Sequence, residues 1–182
     1  MIELILGGAR SGKSALAEQR AAESGLAVCY VATAQAGDAE MARRIAHHRS
    51  RRAAHWTLVE EPLHLAATLV EQAAADRCLL VDCLTLWLSN LLHAGVAARQ
   101  AESGADVACP LLAFETSALL DCLPQLPGRV ILVANEVGLG IVPLGAATRL
   151  FVDDAGRLNQ AIARIAQRVS FVAAGLPLEL KA

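Results

Sequence analysis

The sequence has little that would place it in a membrane, on a nucleic acid or in an oxidising compartment. Its 182 residues carry 16 Lys+Arg against 18 Asp+Glu, a formal charge of −2. No global basic field favours a phosphodiester backbone, so no nucleic-acid partner is expected. Although 55% of the residues are hydrophobic, much of that content is alanine. The longest stretch free of formal charge, Cys83 to Ala98, includes Ser89, Asn90 and His93, and it is too short and too polar to be a membrane span. The cysteines (Cys29, Cys78, Cys83, Cys109 and Cys122) are odd in number and show neither CxxC nor a Cys/His ligand cadence. That argues against a disulfide framework and structural zinc, and for small buried hydrophobes in a reducing cytosol. The first residues lack the basic region, apolar segment and cleavage site of a signal peptide, so a cytoplasmic location is expected. No internal repeat or low-complexity linker interrupts the chain, and its length fits one domain, 1–182.

What is present is a rhythm of short apolar runs separated by longer Ala-, Leu-, Glu- and Arg-rich stretches. Strands are expected at Ile2–Leu6, Ala27–Ala32, Trp56–Glu60, Cys78–Asp82, Arg129–Asn135 and Ser170–Ala173. Helices are expected near Lys13–Ser24, Asp38–Arg52, Pro62–Ala75, Leu84–Leu92, Leu111–Leu123 and Arg149–Arg168. This is the pattern of an α/β fold, a mostly parallel sheet with helices on both faces. Ala94–Pro110, with its small-residue turns and mixed charge, reads as a surface excursion.

Gly7, Gly8, Ala9, Arg10, Ser11, Gly12, Lys13 and Ser14 satisfy GxxxxGK[ST] directly after an apolar strand and before a helical pattern, the context that marks a P-loop. Glycines let backbone N–H groups converge on phosphate oxygens, Lys13 brings charge to the β and γ phosphates, and Ser14 is placed to hold Mg²⁺. Asp82, ending the apolar strand Cys78–Val81, stands where a second metal-organising acid belongs. It would equally serve as the N-cap of the next helix.

The stretch Glu40 to Arg52 sets two histidines among five arginines. On a helical wheel Met41, Ala42 and Ile45 form the buried stripe, His48 falls at its edge beside Arg44 and Arg51, and His47 points nearly opposite. Positive neighbours and desolvation keep such an imidazole neutral, the nucleophilic form, and the same arginines suit phosphates. Taken alone, the pattern is also that of a solvated basic helix face.

Taken together, GGARSGKS at 7–14, ATAQ at 32–35, DAEMARRIAHHRSRRAAHW at 38–56, ILVANEVGLGIVP at 131–143 and DDAGRLNQ at 153–160 resemble the bifunctional adenosylcobinamide kinase / adenosylcobinamide-phosphate guanylyltransferase family of cobalamin biosynthesis. The resemblance spans nearly the whole chain and implies a P-loop NTPase-like domain acting on GTP, ATP, adenosylcobinamide and its phosphate. It implies phosphorylation of the aminopropanol hydroxyl, then transfer of GMP from GTP through a guanylyl-histidine. By residue matching the nucleophile is His48. Nucleotide contacts carry over to Gly7–Ser14, Thr33, Ala34, Gln35, Arg49, Ser50, Arg51, Arg52, Glu60 and Asp82, with Ser14 and Asp82 toward Mg²⁺. The family also implies a homotrimer.

Two other functions use the same loop. A monofunctional small-molecule kinase needs only γ-phosphoryl transfer and leaves 38–56 without a role. A GTPase switch would read guanine with NKxD, whereas Asn135 here is followed by Glu136-Val137-Gly138, and the accessible DxxG spacing, Asp153 to Gly156, comes too late in the chain.

Overall fold

A computed structural model of the chain describes residues 1–35, 39, 43, 53, 55–95, 97–102 and 108–182. The expected helix Asp38–Arg52 and the histidine pair therefore lie almost entirely outside the described residues, as do Arg49, Ser50, Arg51 and Arg52. Among the described residues seven strands form one sheet: β1 Ile2–Gly7, β2 Ala27–Ala32, β3 Thr57–Glu60, β4 Arg77–Asp82, β5 Arg129–Asn135, β6 Arg168–Ala173 and β7 Leu176–Lys181. Their order is β3-β2-β4-β5-β1-β6-β7, and every pairing is parallel except β6 with β7. The central strands are buried on both faces, as β1 is throughout its length, because helices cover both sides.

Alternation along the strands sorts their side chains to two faces. Ile5, Val28, Tyr30, Cys78, Leu80, Ile131 and Val133 pack beneath α1 (Lys13–Ala22) through Ala17 and Ala21. Leu4, Leu6, Val31, Leu79, Val81 and Leu132 meet Leu65 and Leu69 of α2 (Leu65–Gln72) and Trp87 and Leu91 of α3 (Leu84–Ala94) on the opposite face. Leu119 of α5 (Pro110–Cys122) and Leu158 and Ile162 of α6 (Ala146–Ile165) join them there. The α/β architecture expected from the sequence is the observed one.

Three expectations need correction. Part of Ala94–Pro110 is a helix, α4 (Ala97–Glu102), and Ala97 and Ala101 are 0% and 6% exposed. The two alanines are four residues apart, one helical turn, so the small-residue stretch packs into the molecule there. The last strand, β7, was absent from the expectation. It forms because Ala174 and Gly175 both adopt positive φ (52° and 79°), the conformation of a tight hairpin turn. The final long helix begins three residues earlier than expected and ends at Ile165, where Ala166 turns extended (ψ 140°).

At the amino edge of the sheet lies a buried charge network. Arg20 of α1 donates to Glu3 of β1 and to Ser170 Oγ at 2.7 Å, and its other nitrogen meets Glu179 of β7 at 2.5 Å. Arg129 pairs with the second oxygen of Glu3 at 2.7 Å. Burial opposes the charge on Glu179, but hydrogen bonds from Arg20, Arg168 and Ser170 outweigh it and hold the carboxyl below its ordinary value. Glu3 is fully buried, so removing one cation leaves its charge undercompensated. Arg20→Ala is expected to lower unfolding stability by about 3–5 kcal/mol, read as a shifted urea midpoint. The folded Glu179 pKa is depressed, so its contribution is present above the unfolded carboxyl pKa and lost as pH falls through the folded value. The variant should therefore show a flatter acid limb of stability; a midpoint unchanged from wild type would contradict the reading.

Candidate active site

The carboxyl edge of β1 runs directly into the glycine-rich loop. Ser11 N–H donates to Gly8 O at 3.2 Å, closing a turn in which Arg10 takes positive φ, 57°, and Gly12 just beyond it does so too, at 98°. Gly12 is the N-cap of α1 and makes no side-chain cap bond, and no acidic residue occupies the first turn. The first N–H groups of α1 thus have no side-chain acceptor there, and with the helix dipole they are arranged as an anion would require. Lys13 is 8% exposed, and its Nζ rests on Gly8 O at 3.2 Å, inside the curve that a phosphate chain would fill.

The β6–β7 hairpin clasps this loop from the other side. Gly175 N–H donates to Ser11 O at 2.8 Å. A Cβ at Gly12 would come within 3.1 Å of Gly175 Cα, and one at Gly7 within 2.6 Å of Val172 O. The glycines at 7 and 12 are therefore needed for close backbone approach as well as for phosphate access.

Asp82 closes β4, with β5 between it and β1. At roughly 4.8 Å per strand its backbone is about 10 Å from the P-loop strand. The next helix, α3, is capped by Cys83 without a side-chain hydrogen bond, and Asp82 Oδ2 instead accepts from Tyr30 Oη at 3.0 Å. The carboxylate is thus not employed as a helix cap. Burial chiefly, and then the charge of Asp82, push the Cys83 thiol up to about 12, with Lys13 opposing. Lys13, Cys83 and Asp82 accordingly share one electrostatic environment beneath α1.

The remaining site candidates fall farther along the same edge. Thr33 is fully buried and spends its hydroxyl on Cys83, donating to the carbonyl at 2.7 Å and accepting from the amide at 2.9 Å. Asn90 Nδ2 donates to Thr33 O at 2.8 Å and to Pro62 O at 3.1 Å. Thr33 thus ties β2 to β4, while Ala34 and Gln35 beyond it are half-buried and exposed. Glu60 is level with Ala32 and, through it, with Asp82, but it stands on the edge strand, about 19 Å from β1 by strand spacing.

Motif reading missed Tyr30, Thr85 and the hairpin turn. Thr85 Oγ1 accepts from Asn135 N at 2.6 Å, joining the first turn of α3 to the end of β5, and Glu136 N donates to Gly7 O at 3.1 Å, joining the end of β5 to the P-loop. Each is a bond across distant sequence positions, so no local pattern announces it. The loop after Glu136 presents Leu139, Ile141, Val142 and Leu144 largely to solvent. Among the described histidines, His93 Nδ1 is bonded to Ser89 O at 2.7 Å. His64 Nδ1 meets Glu115 at 2.8 Å, a hydrogen bond that raises its pKa above the ordinary value.

Among the described residues no group of three or more His, Cys, Asp or Glu is arranged to hold a metal by itself, and no helix is long and apolar enough to cross a membrane. In fold the chain is similar to the EscN ATPase of the enteropathogenic Escherichia coli type III secretion system. The TM-score is 0.57 at 12% identity, covering 95% of this chain and 43% of that one. It is also similar to the RadB recombinase, with TM-score 0.51, 18% identity, and 93% and 73% coverage. In sequence it is 62% identical over 181 residues to the bifunctional adenosylcobalamin biosynthesis protein CobP of Pseudomonas aeruginosa, covering 100% of this chain and 98% of that protein. It is 40% identical over 183 residues to the corresponding CobU of Salmonella typhimurium, with both chains covered in full. Residues 3–180 match the model of a family described as cobinamide kinase / cobinamide phosphate guanyltransferase. A P-loop on a mostly parallel sheet and a match over almost the entire length agree: the chain belongs to the cobinamide kinase / cobinamide phosphate guanyltransferase family.

Proposed function

We propose that one domain carries out two successive transfers on the corrinoid side arm, in the cytoplasm and as a homotrimer. In the first, the hydroxyl oxygen of adenosylcobinamide attacks the γ-phosphorus of ATP or GTP and the bond to the β-phosphate oxygen breaks. In the second, a neutral His48 nitrogen attacks the α-phosphorus of GTP, releasing pyrophosphate. The phosphate of adenosylcobinamide phosphate then displaces the histidine, breaking the P–N bond and giving adenosylcobinamide-GDP. The observation that carries this reading is the P-loop itself, with Lys13 tucked into the curve and the first turn of α1 open to an anion, in a chain that matches this family from residue 3 to 180.

Gly7 to Ser14 would hold the triphosphate, with Arg49, Ser50, Arg51 and Arg52 beside the histidine. Ala34, Gln35 and Glu60 would extend the nucleotide surface across the carboxyl edge, and Thr33 would set the end of β2 from within. Ser14 in the first turn of α1 and Asp82 beneath that helix offer hard oxygen donors, which suit Mg²⁺. The ion, when bound, neutralises charge developing on the phosphoryl oxygens. The test is to incubate the protein with α-labelled GTP, denature it, and look for an acid-labile, base-stable label. Product adenosylcobinamide-GDP formed without any such label would overturn the covalent route.

A further inference from the structure

Tyr30 belongs to no motif, and its side chain is nonetheless placed on the Asp82 carboxylate. It lies mid-strand on β2, 2% exposed, in register with Leu80 and two residues before Ala32, the register partner of Asp82. Tyr30, Cys78 and Leu80 all face α1, so alternation brings Asp82 to the same face. The phenol reaches one pleat along that face and donates to Oδ2 at 3.0 Å.

The backbone around Asp82 is already fixed without Tyr30. Thr33 bonds both the amide and the carbonyl of Cys83, Asn90 holds Thr33, and Thr85 holds the end of β5. What these bonds leave open is rotation of the carboxylate about its terminal torsion, which is broad and roughly two-fold for aspartate. The Tyr30 hydroxyl settles that rotation by occupying Oδ2. Oδ1 accepts no hydrogen bond from any described residue, and on the metal reading it is the oxygen that would face the ion or its water.

We propose that Tyr30 is the positioning residue of the metal carboxylate, orienting Asp82 toward a nucleotide-bound divalent cation. The inference rests on the reading that Asp82 serves the metal. Carboxylates at metal sites depend on such outer partners, whose loss commonly weakens metal affinity by about 10–100-fold.

The test uses the full chain with a non-hydrolysable GTP analogue and Mn²⁺ as a spectroscopic stand-in for Mg²⁺, titrated by electron paramagnetic resonance. Tyr30→Phe keeps the ring and removes the donor, and is expected to weaken Mn²⁺ binding by about 10-fold or more. The Mg²⁺ concentration for half-maximal phosphorylation should rise in parallel. Asp82→Asn should weaken Mn²⁺ at least as much, and adding Tyr30→Phe to it should weaken it no further, because the two act through one group. If Asp82→Asn weakens Mn²⁺ while Tyr30→Phe does not, the positioning role is overturned and the metal reading stands. If neither variant moves the titration, Asp82 is not at the metal and both readings fall. A lowered melting temperature for Tyr30→Phe with an unmoved metal titration would make it a packing residue only.

Discussion

A Lys13→Ala protein is expected to lose both phosphoryl transfer to adenosylcobinamide and GMP transfer to its phosphate. Lys13 is 8% exposed, its ammonium rests on the Gly8 carbonyl within the loop, and the loop is the one triphosphate cradle found among the described residues. Loss of such a preorganised charge at developing phosphoryl negative charge costs roughly 10²–10³-fold in kcat, about 3–4 kcal/mol. The fold should survive, because the loop is also held by Gly175 on Ser11 and by the Ser11–Gly8 turn. Lys13→Arg should rescue poorly, since a planar fork does not replace a compact ammonium in a curve this tight. The two half-reactions are read separately, by label transfer from γ-labelled and from α-labelled nucleotide. Near-normal turnover in either by a folded Lys13→Ala protein would require a second nucleotide site.

His48→Ala separates the two chemistries in a way that Lys13→Ala does not. On the proposed route no P–N bond can form without the imidazole, so both the covalent GMP adduct and GMP transfer should disappear. On the same route phosphorylation of adenosylcobinamide would use the loop and the ion but no histidine nucleophile, so it should continue. His47→Ala is the control, because the helical wheel turns His47 away from the apolar edge, and it should keep the label. Were the label to survive in His48→Ala and vanish in His47→Ala, the two roles would be exchanged.

The fold was readable where burial leaves a sequence signature. Parallel strands enclosed on both faces appear as unbroken apolar runs such as Cys78–Val81 and Val130–Ala134, and the P-loop announces its own strand and helix. β7 escaped notice although Leu176, Leu178 and Leu180 alternate with Pro177, Glu179 and Lys181. Every residue of the strand is exposed, so it carries no buried run, and its existence depends on a two-residue turn and on an ion pair to Arg20, 159 positions away. The helix at Ala97–Glu102 was hidden for a related reason: its buried face consists of alanines, which composition does not distinguish from a turn. At the candidate site, the glycine-rich turn between β1 and α1 was legible, with Gly7 and Gly12 standing where a Cβ would crowd the β6–β7 hairpin. Tyr30 and Thr85 were not, since each bonds a partner 50 or more positions away that only the assembled sheet brings near.

The charge network at the amino edge also imposes an order on the making of the protein. Glu3 and Arg20 leave the ribosome well before Glu179, which follows Arg20 by 159 positions, on the order of 10–30 s later at ordinary synthesis rates. Gly175, whose amide clasps Ser11, emerges almost as late. The P-loop is thus translated long before it is braced, and a chain broken off between α1 and the β6–β7 hairpin would carry the complete GGARSGKS motif without the clasp and the ion pair that brace it.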